Sequence, residues 1–264
     1  MRRRKRSYTP SKQKYFQAIF SVLGSRNIFP LICLFVLLMA VTGDLQAGLS
    51  SQYGEQIMDI ITKMETAYAK VEEYQAELKV SEYRDGQITE MKRFRYTFKK
   101  PYHLRIDMES PHPGTVLVYP DKNGKVTVKP GGWAGFLELH LSLDSVFFRN
   151  IVGQRMDQTD LGLLVRNIAH SLTDQRRGTI KISEQDCCLL IEVLAEDHYL
   201  FGVLTLYLFS IDKTRWLPVA VEEFTPDGII KRKGIILDLR TPIALPDNFF
   251  RIEKGESGHG RPGK

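Results

Sequence analysis

From Tyr74 onward the chain is written in a period of two. Tyr74, Ala76, Leu78 and Val80 share one face of an extended stretch, and Phe94, Tyr96 and Phe98 share one face of the next. Leu104, Ile106 and Met108 alternate with His103, Arg105 and Asp107 in a third. Successive side chains of a strand point to opposite faces, so each stretch is a strand with an apolar face that something must cover. The links are short. Asp85-Gly86 is a hairpin signal, because both central residues of a type I′ turn need positive φ. Lys99-Lys100-Pro101 ends the second strand, since proline has no N–H for the ladder. "TVLVYP" and "VTVKP", joined by "DKNGK", supply a fourth and a fifth. Hairpin-length links impose antiparallel pairing; a parallel pair needs a long crossover.

Two interruptions read as helices. "EQIMDIITKMETAYAKVEEY" places Ile57, Ile61, Met64, Tyr68 and Val71 at three- and four-residue steps, with Ser50 or Ser51 as a cap. Between 131 and 175 the alternation lapses. "GGWAGFLELHLSLDSVFFRNIVG" is apolar but irregular, with "GGWAGF" reading as a flexible turn. "DQTDLGLLVRNIAHSL" carries a stripe of Leu161, Leu164, Val165, Ile168 and Leu172, capped by Thr159 or Asp160. Strands resume as "TIKIS", "CCLLIEVLA", "GVLTLYLFSID", "WLPVAVEEFTP" and "IIKRKGIILDLR", separated in part by Asp212-Lys213 and Pro226-Asp227-Gly228. The class is α+β: a large antiparallel sheet holds one face against two helices and leaves the other wet.

The charge is unevenly spread. Of the 37 basic residues, eight (Arg2, Arg3, Arg4, Lys5, Arg6, Lys12, Lys14, Arg26) precede residue 28 with no acid among them, so the 31 acidic residues slightly outnumber the basic ones left in the body. A nucleic-acid binder needs a basic patch on the folded domain, and a basic leader does not supply one. After the basic run, residues 28–41 hold no charge, which is the length of a signal-peptide core and short of the roughly 20 residues of a membrane span. Residues 1–47 read as a basic n-region with a signal peptide or signal anchor, cleavage following Ala47 or Gly43; 48–253 form the domain; 254–264 form a disordered tail. The expected location is the periplasm, either free or anchored to the inner membrane by an uncleaved leader. Cys33 lies inside the apolar run, preceded by Ile32, which does not suit lipidation. Cys187 and Cys188 are adjacent, too close at the Cα atoms for ordinary disulfide geometry, and read as unpaired with at least one in the core.

A leading helix, an aromatic strand ending in "FKKP" and then "HLRIDM" resemble the LolA/LolB-like superfamily, the periplasmic lipoprotein carrier and its outer-membrane receptor. Leu217-Pro218, the Asp227-Gly228 hairpin and a late Phe249 or Phe250 match its second half, and the similarity runs over roughly 52–253. It is closest to a poorly characterised exported branch. The resemblance implies a curved antiparallel sheet of about 10–11 strands, an incomplete β-barrel with helices over its mouth and an apolar concave face that holds acyl chains. On that reading Phe94, Tyr96, Phe98, Leu104, Ile106, Met108, Leu204, Leu206 and Leu208 are cavity candidates. In the carrier an early-strand arginine closes the helical lid. Arg105 occupies the similar stretch, but alternation sets it opposite Leu104 and Ile106, so it points outward if those residues line the cavity.

Catalytic constellations are wanting in the sequence. The histidines, His103, His112, His140, His170, His198 and His259, form no His-Glu-x-x-His pair, and Glu196-Asp197-His198 reads as a solvated loop. There is no Gly-x-Ser-x-Gly elbow and no phosphate loop. The expectation is a non-enzymatic envelope protein that binds lipid or lipoprotein acyl chains, with no cofactor, no metal and no nucleic acid, and with an inner- or outer-membrane protein as a further partner. The alternative is an envelope sensor or scaffold that uses the same fold to bind a protein.

Overall fold

A computed structural model describes residues 53–145, 160–174 and 178–252. The leader, Ser50 and Ser51, Thr159 and the tail from 253 lie outside the described residues.

Eleven strands form one antiparallel sheet: β1 (Glu73–Arg84), β2 (Gln87–Lys99), β3 (His103–Ser110), β4 (Val116–Tyr119), β5 (Val126–Lys129), β6 (Leu139–Leu141), β7 (Ile180–Gln185), β8 (Cys188–Glu196), β9 (Leu204–Asp212), β10 (Pro218–Phe224) and β11 (Ile230–Arg240). Their order is β6-β5-β4-β3-β2-β1-β11-β10-β9-β8-β7, so the sheet is not closed into a barrel. It consists of two meanders, β1–β6 and β7–β11, joined where β1 pairs with β11. Asp85 and Gly86 take φ of 52° and 75°, as the hairpin signal requires. The three-residue β6 was not read from the sequence; it is too short to show a period. Nor do "GGWAGF" residues form only a turn, since Gly132–Ala134 make one turn of 3-10 helix.

Helix α1 spans 53–69 and α2 spans Leu161–Thr173. Both cover the same face of the sheet. Ile57, Ile60, Ile61 and Met64 of α1 and Val165, Ile168 and Leu172 of α2 pack with Ile191, Val193, Tyr207 and Phe209. Val71 follows α1 but still enters the neighbouring core with Tyr74, Phe94, Tyr96, Phe98, Leu104, Ile106 and Leu117. From Ile57 onward the chain is one compact unit.

The start of α2 is fixed by Asp160, whose carboxylate accepts from the backbone N–H groups of Gly162 and Leu163 at 3.2 and 3.1 Å. The same carboxylate accepts the Tyr68 hydroxyl of α1. Burial, and then that acidic neighbour, push the Tyr68 phenol up from its usual pKa. Tyr74 of β1 accepts from the Leu161 N–H at 3.0 Å, which ties the helix to the sheet. A Cβ on Gly162 would lie 2.4 Å from the Tyr68 ring, so only glycine fits beneath it. Asp160→Ala is expected to lower stability by about 1 kcal/mol, read as a lower urea midpoint with an unchanged slope.

The outer face is not uniformly wet. Beyond β11 the chain crosses to β3, where Arg105 donates to the Phe249 carbonyl at 3.2 Å and lies over the Phe249 ring, 5.2 Å from its centroid. The Phe250 ring stands 5.6 Å from that of His103. The cysteine expectation is corrected in part. Cys187 and Cys188 are unpaired, with Sγ atoms 3.4 Å apart, but Cys187 is exposed in a turn and Cys188 is half-buried, so neither is core.

Candidate functional site

Register settles which side chains share the covered face. Leu78 lies opposite Phe94, and Phe94 opposite Met108. Tyr96 lies opposite Ile106, Ile106 opposite Leu117, and Leu117 opposite Val128. Phe94, Tyr96, Phe98, Leu104, Ile106 and Met108 therefore stand on the face that the helices cover, and all are buried.

Besides a space of about 510 Å³ between α1 and the 213–217 turn, two cavities on this face are lined chiefly by sheet side chains. The larger, about 810 Å³, is walled by Met108, Leu117, Val128, Leu139 and Leu141 from β3 to β6, with the loops after β3 and β5 at its edge. Its polar lining includes the exposed Glu90, His112 and the buried Lys92, with the Lys92 ammonium 3.1 Å from Glu90. The smaller, about 150 Å³, lies between Leu161 and Leu164 of α2 and the sheet residues Tyr74, Leu78, Val80, Tyr96, Val221 and Ile236. Val80 of the smaller and Lys92 of the larger are cross-strand partners, and Phe94 stands beside them between Leu78 and Met108. Of the sequence candidates, Met108 lines the large cavity and Tyr96 the small one. Phe94, Phe98, Leu104 and Ile106 are packed core beside them. Leu117, Val128, Leu139 and Leu141 were missed; their strands are too short for alternation to stand out.

Two expectations are corrected. Leu204, Leu206 and Leu208 do not share the covered face: Leu204 is exposed and Leu206 and Leu208 are half-buried, whereas Thr205, Tyr207, Phe209 and Ile211 are buried. β9 is apolar on both faces, and its partner β8 decides the phase by setting Val193 opposite Tyr207 and Ile191 opposite Phe209. Arg105 has no place at a lid. It lies on the outer face, opposite Val118 in register, and its guanidinium is held by Asp107 at 3.0 Å and by the Phe249 carbonyl. Its work is to fasten the C-terminal segment.

The covered face turns polar where β8 passes into β9. Asp197 is buried, not solvated: one oxygen accepts from the Tyr199 and Leu200 N–H groups, the other from the Thr205 hydroxyl at 2.6 Å and the Lys231 ammonium at 3.0 Å. Burial raises its pKa, but the Thr205 hydroxyl, the Tyr199 N–H and Lys231 outweigh that and hold it at about 2. Next to it Arg232 meets Glu82 at 3.0 Å and Glu223 at 3.7 Å, fastening β11 to both neighbours. Burial pushes the Glu223 carboxyl up despite Arg232.

His198 stacks on Tyr207 at 4.4 Å, and its Nε2 lies 2.8 Å from the Ser171 hydroxyl of α2. This is a Ser–His contact without the rest of a nucleophilic relay. Ser171 is buried in a helix, and the neighbouring Asp197 carboxylate is taken up by other donors. Among the described residues no group of His, Cys, Asp and Glu is arranged to hold a metal ion, and no helix is long and apolar enough to cross a membrane.

No protein-family model matches the chain, and no curated protein sequence does. Solved structures do. A LolA superfamily protein from Nitrosomonas europaea aligns over 73% of this chain and 96% of its own, at 11% identity and a TM-score of 0.33. The Mycobacterium tuberculosis lipoprotein LppX aligns over 73% and 99%, at 8% identity and 0.43. The MucA/MucB complex of Pseudomonas aeruginosa aligns over 75% of this chain and 61% of the matched one, at 10% identity and 0.42. The superfamily that the sequence motifs resemble is thus represented among the matched structures. At these TM-scores no residue role and no ligand passes from them to this chain.

Proposed function

We propose that this protein binds acyl chains of lipids or lipoproteins in the cavity between β2 and β6, as an envelope carrier or receptor and not as an enzyme. One observation carries this reading: about 810 Å³ of space walled largely by Met108, Leu117, Val128, Leu139 and Leu141, with the Lys92–Glu90 pair among its few polar groups. That is the size and lining of a ligand site, and not of a packing defect. An apolar ligand needs no catalytic group, since each methylene buried contributes about 0.8 kcal/mol. The Glu90–Lys92 pair gives a headgroup a polar neighbour. The basic leader and uncharged run support export to the periplasm.

The test is extraction of the purified protein for bound lipid, followed by displacement of a fluorescent fatty acid by palmitate. Leu141→Trp, which fills the cavity from a half-buried wall position, is expected to weaken binding about tenfold or more, equivalent to ~1.4 kcal/mol, with an unchanged urea midpoint. A protein that neither retains nor takes up acyl chains, and instead captures one protein partner, would favour the sensor or scaffold reading.

A further inference from the structure

Antiparallel pairing fixes which links share an end of the sheet. All ten neighbour pairs are antiparallel, so 85–86, 111–115, 130–138, 197–203 and 225–229 lie at one end. The links 100–102, 120–125, 186–187 and 213–217 lie at the other, and each of these carries charge, from Lys100, Asp121, Asp186 and Lys213 among others.

The first end is different. Its three wider loops, 111–115, 130–138 and 197–203, contain no Lys or Arg and two acids: Asp197, which is buried and paired with Lys231, and Glu138, which stands beside His140 where β6 begins. Their apolar side chains stand in water: Trp133 is 88% exposed, Phe136 77%, Leu200 55% and Phe201 91%. Single exposed apolar residues are ordinary, but two aromatic-bearing loops at one pole of a sheet whose other pole is charged are not. Exposed charge at this end sits at Arg84 and Asp85, at Asp227, and at Glu138 beside the start of β6; the tips that bear Trp133, Phe136, Leu200 and Phe201 are uncharged. The large cavity reaches the same end, since Pro111, His112, Pro113, Pro130, Gly131 and Gly132 at its edge belong to two of these loops.

We propose that this end docks on a lipid bilayer, with Trp133, Phe136, Leu200 and Phe201 entering the boundary between headgroups and acyl chains and the cavity edge turned toward the membrane. The arrangement of the tips selects a bilayer over a protein. One aromatic loop joins β5 to β6 and the other β8 to β9, close to opposite edges of the sheet, with charged turns between them. A fluid surface receives separate projecting tips and leaves the charged turns among headgroups. A protein partner would need two distant pockets in fixed register. Tryptophan in particular favours the membrane interface, where its ring is buried and its N–H stays wet.

The chain has two tryptophans, Trp133 and Trp216, and Trp216 follows β9 at the charged end, with Lys63 lying 4.6 Å over its ring. The full chain is mixed with phosphatidylethanolamine–phosphatidylglycerol vesicles whose acyl chains are brominated, which quenches tryptophan that contacts those chains. Quenching is expected in the wild type and in Trp216→Phe, and is expected to vanish in Trp133→Phe. The double variant Leu200→Ser with Phe201→Ser is expected to lower vesicle partitioning about tenfold; both side chains are exposed, so the urea midpoint should hold. Quenching that survives Trp133→Phe, vesicle binding through the basic leader that leaves Trp133 unquenched, or a Trp133 blue shift from self-association without vesicles would each overturn the proposal. The outcome is separable from acyl binding: Leu141→Phe, which narrows the cavity without adding a tryptophan, should weaken acyl binding while Trp133 remains quenched.

Discussion

Phe209→Ala is expected to lower the free energy of unfolding by about 3–5 kcal/mol, while Leu208→Ala, one position away, costs about 1 kcal/mol or less. Phe209 is fully buried, stacked on Tyr207 at 5.2 Å and enclosed with Ile191 and the α1 and α2 side chains. Removing the ring loses its transfer free energy and leaves a cavity that two helices and a sheet cannot close. Leu208 points to the other face, between Glu192 and Glu222 in register, where water already reaches it. Urea unfolding of both variants measures the difference. Equal costs, or the reverse order, would mean that the helices cover the opposite face of β9.

Acidification should destabilise the protein well above the range in which carboxylates titrate. Burial holds the His198 imidazole at a pKa of about 4; the nearby Asp197 carboxylate opposes this and His170 adds to it. The unfolded side chain titrates near 6.5. Between these values the unfolded chain binds the proton and the folded one does not, so stability is full above about 6.5 and is lost as pH falls toward 4. A shift of this size corresponds to roughly 3 kcal/mol at the lower bound. The ring is buried against Tyr207, with Nε2 2.8 Å from the Ser171 hydroxyl, and burial outweighs the Asp197 carboxylate and the Asn167 backbone that would favour the charged form. Unfolding free energies from urea titrations at pH 7.5 and 4.5 should differ by most of this amount in the wild type and by much less in His198→Gln. An equal pH dependence in the variant would assign the loss to other groups. Asp197, held at about 2, contributes only at lower pH, between about 4 and 2.

Where one face of a strand is apolar and the other polar, the sequence was enough. β1, β2 and β3 carry aromatic and aliphatic residues at every second position with charges between, and their register follows from that alternation. β9 defeats the same reading because Leu204, Leu206 and Leu208 are as apolar as Tyr207, Phe209 and Ile211; only the pairing with β8 and the helices overhead decide between them. The wall of the large cavity comes mostly from strands of three and four residues, too short for a period. The Asp197 network unites residues from β9 and β11 with a loop that looked solvated, and composition gives no sign of it. Arg105 was different. Its alternation with Leu104 and Ile106 already opposed a lid role, and the segment that occupies it comes from the far end of the domain.

The pairing of β1 with β11 bears on how the chain is made. Glu82 and Arg232, which clasp this seam, are 150 positions apart. During vectorial synthesis the first meander emerges complete but for one long unpaired border, and that border waits for the last of the eleven strands. Such distant closure is entropically slow, and a bare twelve-residue border invites adventitious partners in the interval. The alternating charges along it, Glu77, Lys79 and Glu82, are the kind of deterrent that would keep a nascent half-sheet solitary until its own β11 arrives.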